Sequence, residues 1–263
     1  MEKFKDLQLN IRKNILFLSN WSNEGHVPSS FSIVEIIISI FSYSLDINPN
    51  IDFRSIMKNL VLSKGHASFA LYSVMYEYGI LGKNIFQNIC KNGSPFFGHI
   101  PYKPFYGLNF GTGSLGHGLP YAIGKAYGNL LKGINDIVYC IIGDGEANEG
   151  TFWESLLLLR KFNQINIIII IDNNQSSDRA IIINDILNNI DKFSINFKKV
   201  DGHDIVAIMN EFKNKTEGPL ILLANTQKGQ PLNCMINNPV WHHKSPTELE
   251  LNNIFNELNL FYA

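Results

Sequence analysis

A chain of 263 residues, 45% hydrophobic and 17% charged, has the composition of a folded globular protein and the length for one sizeable α/β core. Its net charge of −1 argues against a general nucleic-acid binder, which needs a basic stripe to meet phosphates. Cys90, Cys140 and Cys234 are too few and too scattered for a disulfide framework or a zinc site, and read as reduced thiols of a cytoplasmic protein.

Residues 1–20 place Phe4, Leu7, Ile11 and Ile15 at helical spacing beside Lys3, Lys5, Arg12 and Lys13. That pattern predicts an amphipathic surface helix, without the apolar core or cleavage site of a secretion signal. Residues 32–42 are apolar on nearly every side, so the helix expected there should be buried. A short strand over 60–62 runs into Ser63-Lys64-Gly65-His66, with a helix over 67–78. A loop rich in glycine and proline, 93–113, precedes a helix over 115–131, where the spacing of Gly116, Gly124 and Gly128 would permit close helix packing. The next strand, 137–142, ends on Gly143-Asp144-Gly145 and leads to a helix over 149–160. The isoleucine-rich run 165–171 suits a buried parallel strand and is too short to cross a bilayer, so no membrane association is expected. Strands over 197–200 and 220–224 flank a helix over 205–212, capped by Asp204. A last helix runs from Pro246, a favoured first-turn residue, to about 258. No linker, repeat or low-complexity segment divides the chain. Alternating strands and helices therefore predict a single α/β domain over 1–263, a central parallel sheet covered by helices on both faces.

The chemistry concentrates where two strands end. Gly143-Asp144-Gly145 closes one strand and Asp172-Asn173-Asn174 closes the next. In a parallel sheet those ends lie side by side, where open α/β sheets bind ligands. Asp144 offers a carboxylate and Asn174 an amide oxygen, the ligands magnesium accepts while phosphate oxygens complete its shell. Gly143 and Gly145 let the backbone approach a phosphate, and the helix beginning near Glu149 would direct free N–H groups toward the same anion.

At these residues the chain resembles thiamine diphosphate enzymes, whose motif is Gly-Asp-Gly followed at a distance by Asn or Asn-Asn. Further blocks resemble the N-terminal part of transketolase, in family order. They are Gly25-His26-Val27-Pro28-Ser29-Ser30, Leu62-Ser63-Lys64-Gly65-His66-Ala67-Ser68, Phe97-Gly98-His99 and Thr112-Gly113-Ser114-Leu115-Gly116-His117-Gly118-Leu119-Pro120. Gly143-Asp144-Gly145-Glu146 with Glu149-Gly150, Val200-Asp201-Gly202-His203-Asp204 and Trp241-His242-His243-Lys244 complete the set. Val27-Pro28 departs from the small pair the family often has there.

The resemblance implies thiamine diphosphate and Mg2+ as cofactors. The metal would be held by Asp144, Asn174 and the backbone carbonyl of Ser176, with Asn173 behind them. The remaining cofactor contacts would come from His66, Gly113, Ser114, Leu115, Gly145, Glu149 and His242. His26, His66, His99 and His242 would be catalytic, moving protons during transfer of a two-carbon ketol unit from a ketose to an aldose, free or phosphorylated. Imidazole suits such work because its ordinary pKa lies near neutrality. The chain stops where single-chain transketolases continue, so the glutamate that activates the cofactor is expected on a separate C-terminal subunit. Glu149 would meet it across the interface, and two copies of each subunit would form a heterotetramer. A deoxyxylulose-phosphate synthase-like or other specialised sugar-biosynthetic thiamine enzyme is the neighbouring alternative, and a non-catalytic cofactor binder the other. The Gly-Ser-Leu-Gly-His-Gly and Trp-His-His blocks favour transketolase. His203-Asp204 reads as structural. Adjacent His242 and His243 point apart if extended, which speaks against a joint metal site.

Overall fold

Isoleucine supplies the middle of the molecule. In the computed structural model, residues 2–176, 187, 189–236 and 238–263 are described. Among them, strands β1 (Leu60–Leu62), β2 (Val138–Gly143), β3 (Ile167–Asn173), β4 (Asn196–Asp201) and β5 (Leu220–Asn225) form one parallel sheet in the order β1-β2-β3-β5-β4. The unbroken isoleucine run of β3 lies at the centre of this order and is buried along its whole length. Branched side chains stiff at χ1 pack well on a pleated surface, and a strand covered on both faces has no need of alternation.

The strand period of two divides the core into two layers. Val138, Cys140, Ile142, Ile167, Ile169 and Ile171 pack with helices α7 (Gly118–Leu131) and α8 (Gly150–Lys161). Tyr139, Ile141, Ile168, Ile170 and Leu222 pack on the other face. The covering helices there are α1 (Lys5–Ser22), α3 (Val34–Ile47), α5 (Ser68–Glu77), α9 (Ile205–Lys213) and α10 (Glu248–Tyr262). The expected parallel sheet with both faces covered is what forms. Short helices α2 (Val27–Phe31), α4 (Phe53–Asn59) and α6 (Lys83–Phe86) fill connections with no helical period long enough to read.

Several boundaries differ from expectation for local reasons. Helix α1 is amphipathic as expected, with Asp6, Asn10 and Trp21 exposed; Ile11, Ile15, Leu16 and Leu18 are fully buried where α5 and α10 pack across it. Arg12 goes under with them, paired with buried Glu35, which also accepts from Gln8 at 2.7 Å. His203 completes this cluster. Its Nε2 accepts from the Gln227 N–H at 2.8 Å, so Nδ1 carries the proton toward Glu35 at 3.2 Å. Helix α7 starts at Gly118 rather than 115, because the Glu146 carboxylate takes the Gly116 N–H at 2.8 Å and holds that turn. Gly116 allows Thr151 of α8 to approach closely, whereas Gly124 and Gly128 have nothing among the described residues near enough to touch an added Cβ. Helix α10 begins after Pro246: Thr247 caps it in a capping box with Glu250. Asp204 caps α9 as read, accepting from Val206 and Ala207. The apolar stretch Val27–Ile47 has the length and hydropathy of a membrane span, but most of it is core of this fold.

The topology gathers the C-terminal strand ends. Gly143 pairs with Asp172, and Asn173 with Asn225, so Asp144, Asn174 and Thr226 leave the sheet on one rim. Truncating the fully buried Ile170 to alanine should cost about 2–5 kcal/mol. Denaturant unfolding checks this, and a loss below 1 kcal/mol (roughly a methyl-scale effect) would show that the central strand is not the packed core described.

Candidate active site

The rim is organised by a buried ion pair. Lys64, at the end of β1, reaches across Gly143 to the carboxylate of Asp172 on β3, with Lys64 2% and Asp172 0% exposed. Each partner is saturated. The ammonium also donates to the Ser29 carbonyl at 3.0 Å and to Ser32 Oγ at 3.1 Å. Asp172 accepts from Ser32 Oγ at 2.8 Å, from Asn174 Nδ2 at 3.0 Å and from the Thr226 hydroxyl. Burial alone would raise the Asp172 pKa, but Lys64 and these hydrogen bonds hold it below the ordinary value. A buried charge pair is tolerable only when the remaining donors and acceptors are satisfied in this way.

Asp144 is the opposite case. It is 4% exposed; Oδ1 accepts from the Gly145 N–H at 2.7 Å, while Oδ2 is buried with no hydrogen-bond partner among the described residues. Burial, and then the neighbouring Asp172 charge, push its pKa up to about 6. A buried carboxylate oxygen without a donor is costly, and a cation is what would relieve it. Asn174 and Ser176 line the same cavity of about 400 Å³, the Asn174 side-chain oxygen accepting from the Ser176 N–H at 3.1 Å. An all-oxygen set of one carboxylate, one amide and one carbonyl suits magnesium with a few ligands left for phosphate. The residues present fit the implied ion.

The other wall is imidazole. His26, His66, His99 and His242 all line the cavity, with Ser29, Lys64, Leu115, Gly143, Gly145, Glu146 and Lys228. His26 ring contacts join His66 at 5.2 Å and His242 at 5.3 Å between centroids. His99 approaches because Gly65 has no Cβ, which would meet Thr112 Oγ1 at 2.3 Å and His99 Cδ2 at 3.1 Å. Burial, then the neighbouring His243, His242 and His99, lower the His26 pKa to about 4. Burial, then Lys228, bring His242 to about 4, and burial with Lys64 takes His66 well below its ordinary value. These rings are therefore neutral near pH 7, each with one N–H donor and one lone pair. Lys228 Nζ lies 3.1 Å from His242 Nδ1; the ammonium can only donate, so Nδ1 accepts and Nε2 carries the proton.

Some expected residues stand outside this cavity. Gly113 and Ser114 are exposed in the loop before α7 and do not line it, although Leu115 does. A 3-10 turn, Gly145–Asn148, separates Asp144 from α8, so that helix does not start directly behind the Gly-Asp-Gly turn. Glu149 stands at the N-cap position of α8 with no side-chain capping hydrogen bond, exposed and outside the cavity lining. His242 and His243 do not diverge: His242 ends the 3-10 turn Pro239–His242, His243 has ψ 4, and their rings meet at 4.5 Å. Sequence reasoning missed Lys228 and the pairing of Lys64 with Asp172. Lys64 stands inside one of the motifs, but nothing in one dimension matches it to a residue more than a hundred positions away. Also missed was Glu146, which accepts from Ser63 and from the N–H groups of Gly116 and Gly143 and so ties three loops together. A cavity of about 530 Å³ around Arg12, Glu35, His203 and Tyr262 carries less chemistry, since Glu35 and His203 are committed to the cluster described above.

The chain matches the family described as transketolase, thiamine diphosphate binding domain, over residues 11–247. It is 31% identical over 250 residues to one of the subunits of the apulose-4-phosphate transketolase of Actinobacillus succinogenes, covering 91% of this chain and 90% of that protein. It is 30% identical over 251 residues to the transketolase of Homo sapiens, covering 93% of this chain and 40% of that protein. The fold is similar to that of the transketolase from Campylobacter jejuni, with a TM-score of 0.83 at 23% identity, covering 98% of this chain and 43% of that one.

Removing the ammonium in Lys64→Met should cost about 3–5 kcal/mol, because it strands the Asp172 charge. The double variant Lys64→Met with Asp172→Leu should recover part of that loss; additive losses in chemical denaturation would contradict the pairing. The low His26 value carries a pH signature. A group whose folded pKa is depressed from 6.5 to about 4 is protonated first in the unfolded chain. Its contribution is therefore intact above about pH 6.5 and is lost as pH falls toward 4. His26→Asn, which keeps a side chain tolerant of left-handed backbone, should flatten the dependence of melting temperature on pH across that window. An unchanged slope would show that His26 is not held neutral.

Proposed function

The chain belongs to the transketolase family through its thiamine diphosphate binding domain, and from that premise we propose that it is the diphosphate- and metal-binding subunit of a ketol transferase completed by a second chain. The observation that carries the reading is the buried Oδ2 of Asp144, without a hydrogen-bond partner among the described residues, on a cavity lined by the neutral His26, His66 and His242. Asp144, the side-chain oxygen of Asn174 and the carbonyl of Ser176 would hold Mg2+, with Gly145 leaving its backbone open to the diphosphate. When bound, the cofactor supplies the carbon that receives the two-carbon unit from the donor and returns it to the acceptor.

The side chains then have separable tasks. His242, with Nδ1 occupied by Lys228, presents its Nε2 proton as a hydrogen-bond donor to a sugar oxygen. His26 lines the same cavity, a position able to exchange a proton with a substrate hydroxyl. His66 and His99 would sit between cofactor and donor. Neutral rings suit this role, since an imidazolium beside Lys64 and Lys228 would be repelled and could not accept a proton. Ketose and aldose phosphates are the proposed donor and acceptor, supported by the name of the relative that this chain matches along nine-tenths of its length.

That relative is named as one subunit of its enzyme, which supports a partner here as well. The exposed Gly113, Ser114 and Leu115 and the exposed Glu149 are a rim that a second chain would cover, bringing the acid that activates the cofactor. The proposed assembly holds two copies of each chain, in line with the prevalence of twofold closure. Free Cys90, Cys140 and Cys234 accord with the reducing cytoplasm.

Asp144→Ala should nearly abolish Mg2+-dependent binding of thiamine diphosphate in the assembled enzyme; unchanged affinity by calorimetry sinks the assignment. The purified chain should not turn over xylulose 5-phosphate with ribose 5-phosphate until its partner is added. Turnover by the chain alone would refute the two-chain reading. Consumption of pyruvate with glyceraldehyde 3-phosphate instead would place it with the related synthases.

A further inference from the structure

His243 has no task in the reading above and does not line the cavity, yet its ring meets those of His26 and His242, which do. The metal-ligating atoms of His26, His242 and His243 all lie within 4.8 Å of one another. Ring centroids are 5.3 Å apart for His26 and His242, 4.6 Å for His26 and His243, and 4.5 Å for His242 and His243. This proximity is built by the backbone. The His26 N–H donates to the His242 carbonyl at 3.1 Å. Gly25 presses on the His243 main chain so closely that an added Cβ would sit 2.4 Å from its carbonyl carbon. His26 itself adopts φ 63, a left-handed conformation that costs a non-glycine residue about 1–3 kcal/mol and persists only when its surroundings impose it. Its Nδ1 is buried without a hydrogen-bond partner.

We propose that His26, His242 and His243 form a second metal site, for a borderline-soft divalent ion such as Zn2+, separate from the oxygen ligands around Asp144. Three imidazoles with an open fourth position are a zinc-type ligand set, with Zn–N distances of about 2.0–2.1 Å. Tetrahedral geometry at that length puts the nitrogens about 3.4 Å apart. Rotation of His242 and His243, both exposed, closes the remaining gap without moving the locked backbone. Magnesium prefers oxygen and does not compete for this set, whereas Zn2+, Ni2+ and Cu2+ favour imidazole. The Lys228 ammonium, which donates to His242 Nδ1, must yield in either case: as ligand Nδ1 gives its lone pair to the metal, and with Nε2 as ligand Nδ1 carries the ring proton and cannot accept.

The consequence for activity rests on the proposed function. A metal on His26 and His242 takes two rings meant for the sugar, so it acts as an inhibitor competing with the ketose, not as a cofactor.

The test titrates the purified full chain with Zn2+ in excess Mg2+, by calorimetry and by competition with a chromogenic chelator. One equivalent should bind. His243→Ala, an exposed position, should weaken binding by more than about tenfold, while Asp144→Ala leaves it unchanged. Absence of stoichiometric binding, equal affinity in His243→Ala, or loss in Asp144→Ala overturns the site. These readouts need neither partner nor substrate, so they stand or fall apart from the ketol-transferase reading. In the reconstituted enzyme, Zn2+ should raise the apparent KM for the ketose in wild type and much less in His243→Ala. Equal inhibition of the two would overturn the competitive role.

Discussion

The site depends on one buried charge pair. Lys64 and Asp172 come from different strands, and their union draws in Ser29, Ser32, Asn174 and Thr226. Each of those residues carries a segment of the cavity wall. Ser29 follows His26, Asn174 leads to Ser176, and Thr226 leads to Lys228. A desolvated pair of this kind adds little net stability compared with apolar packing. What it supplies is position: the ends of β1, β3 and β5 and the helix α2 are set against one another by directional bonds that hydrophobic contact would not specify.

That arrangement also divides the electrostatics of the rim. Asp172 is neutralised by Lys64, so its neighbour Asp144 is left as the carboxylate in need of a counter-charge. The two acids cannot both be settled by one ammonium, and the repulsion from Asp172 contributes to the elevated pKa of Asp144. On the other side, Lys64 and Lys228 work with burial to keep His66, His26 and His242 unprotonated. The cavity thus holds its acid at one end and its neutral imidazoles at the other.

Leu115, exposed on the cavity wall, and the exposed Gly113, Ser114 and Glu149 beyond the lining form an open rim. Nothing else in this chain covers that rim, as far as the described residues show, and an open rim admits water. Proton transfers of the proposed kind proceed in sites from which water is excluded. Closure by a second chain would therefore be part of the chemistry as well as of assembly.

Much was readable in one dimension because it rests on local properties. Strand composition, the Asp204 cap and the strand-end ligands follow from residues adjacent in sequence, and parallel pairing then places Asp144 beside Asn174. The ordered histidine blocks likewise located four residues that do line one cavity. What stayed hidden depends on distant partners. Helix α1 reads as amphipathic, but that α5 and α10 meet its apolar face does not, and Arg12 reads with the surface cations until Glu35 pairs with it. Of the glycines that read as a packing face, Gly116 meets Thr151 of α8, but nothing among the described residues comes to Gly124 and Gly128. His242 and His243 diverge in an extended chain, yet the 3-10 turn beneath Trp241 and the close approach of Gly25 bring them together. Sequence by itself determined the elements and the kinds of ligand atom, because those depend on periodicity and side-chain chemistry. Tertiary structure alone decided which charges are paired, which imidazoles are neutral and which rings meet, because burial and distance across the fold set those energies.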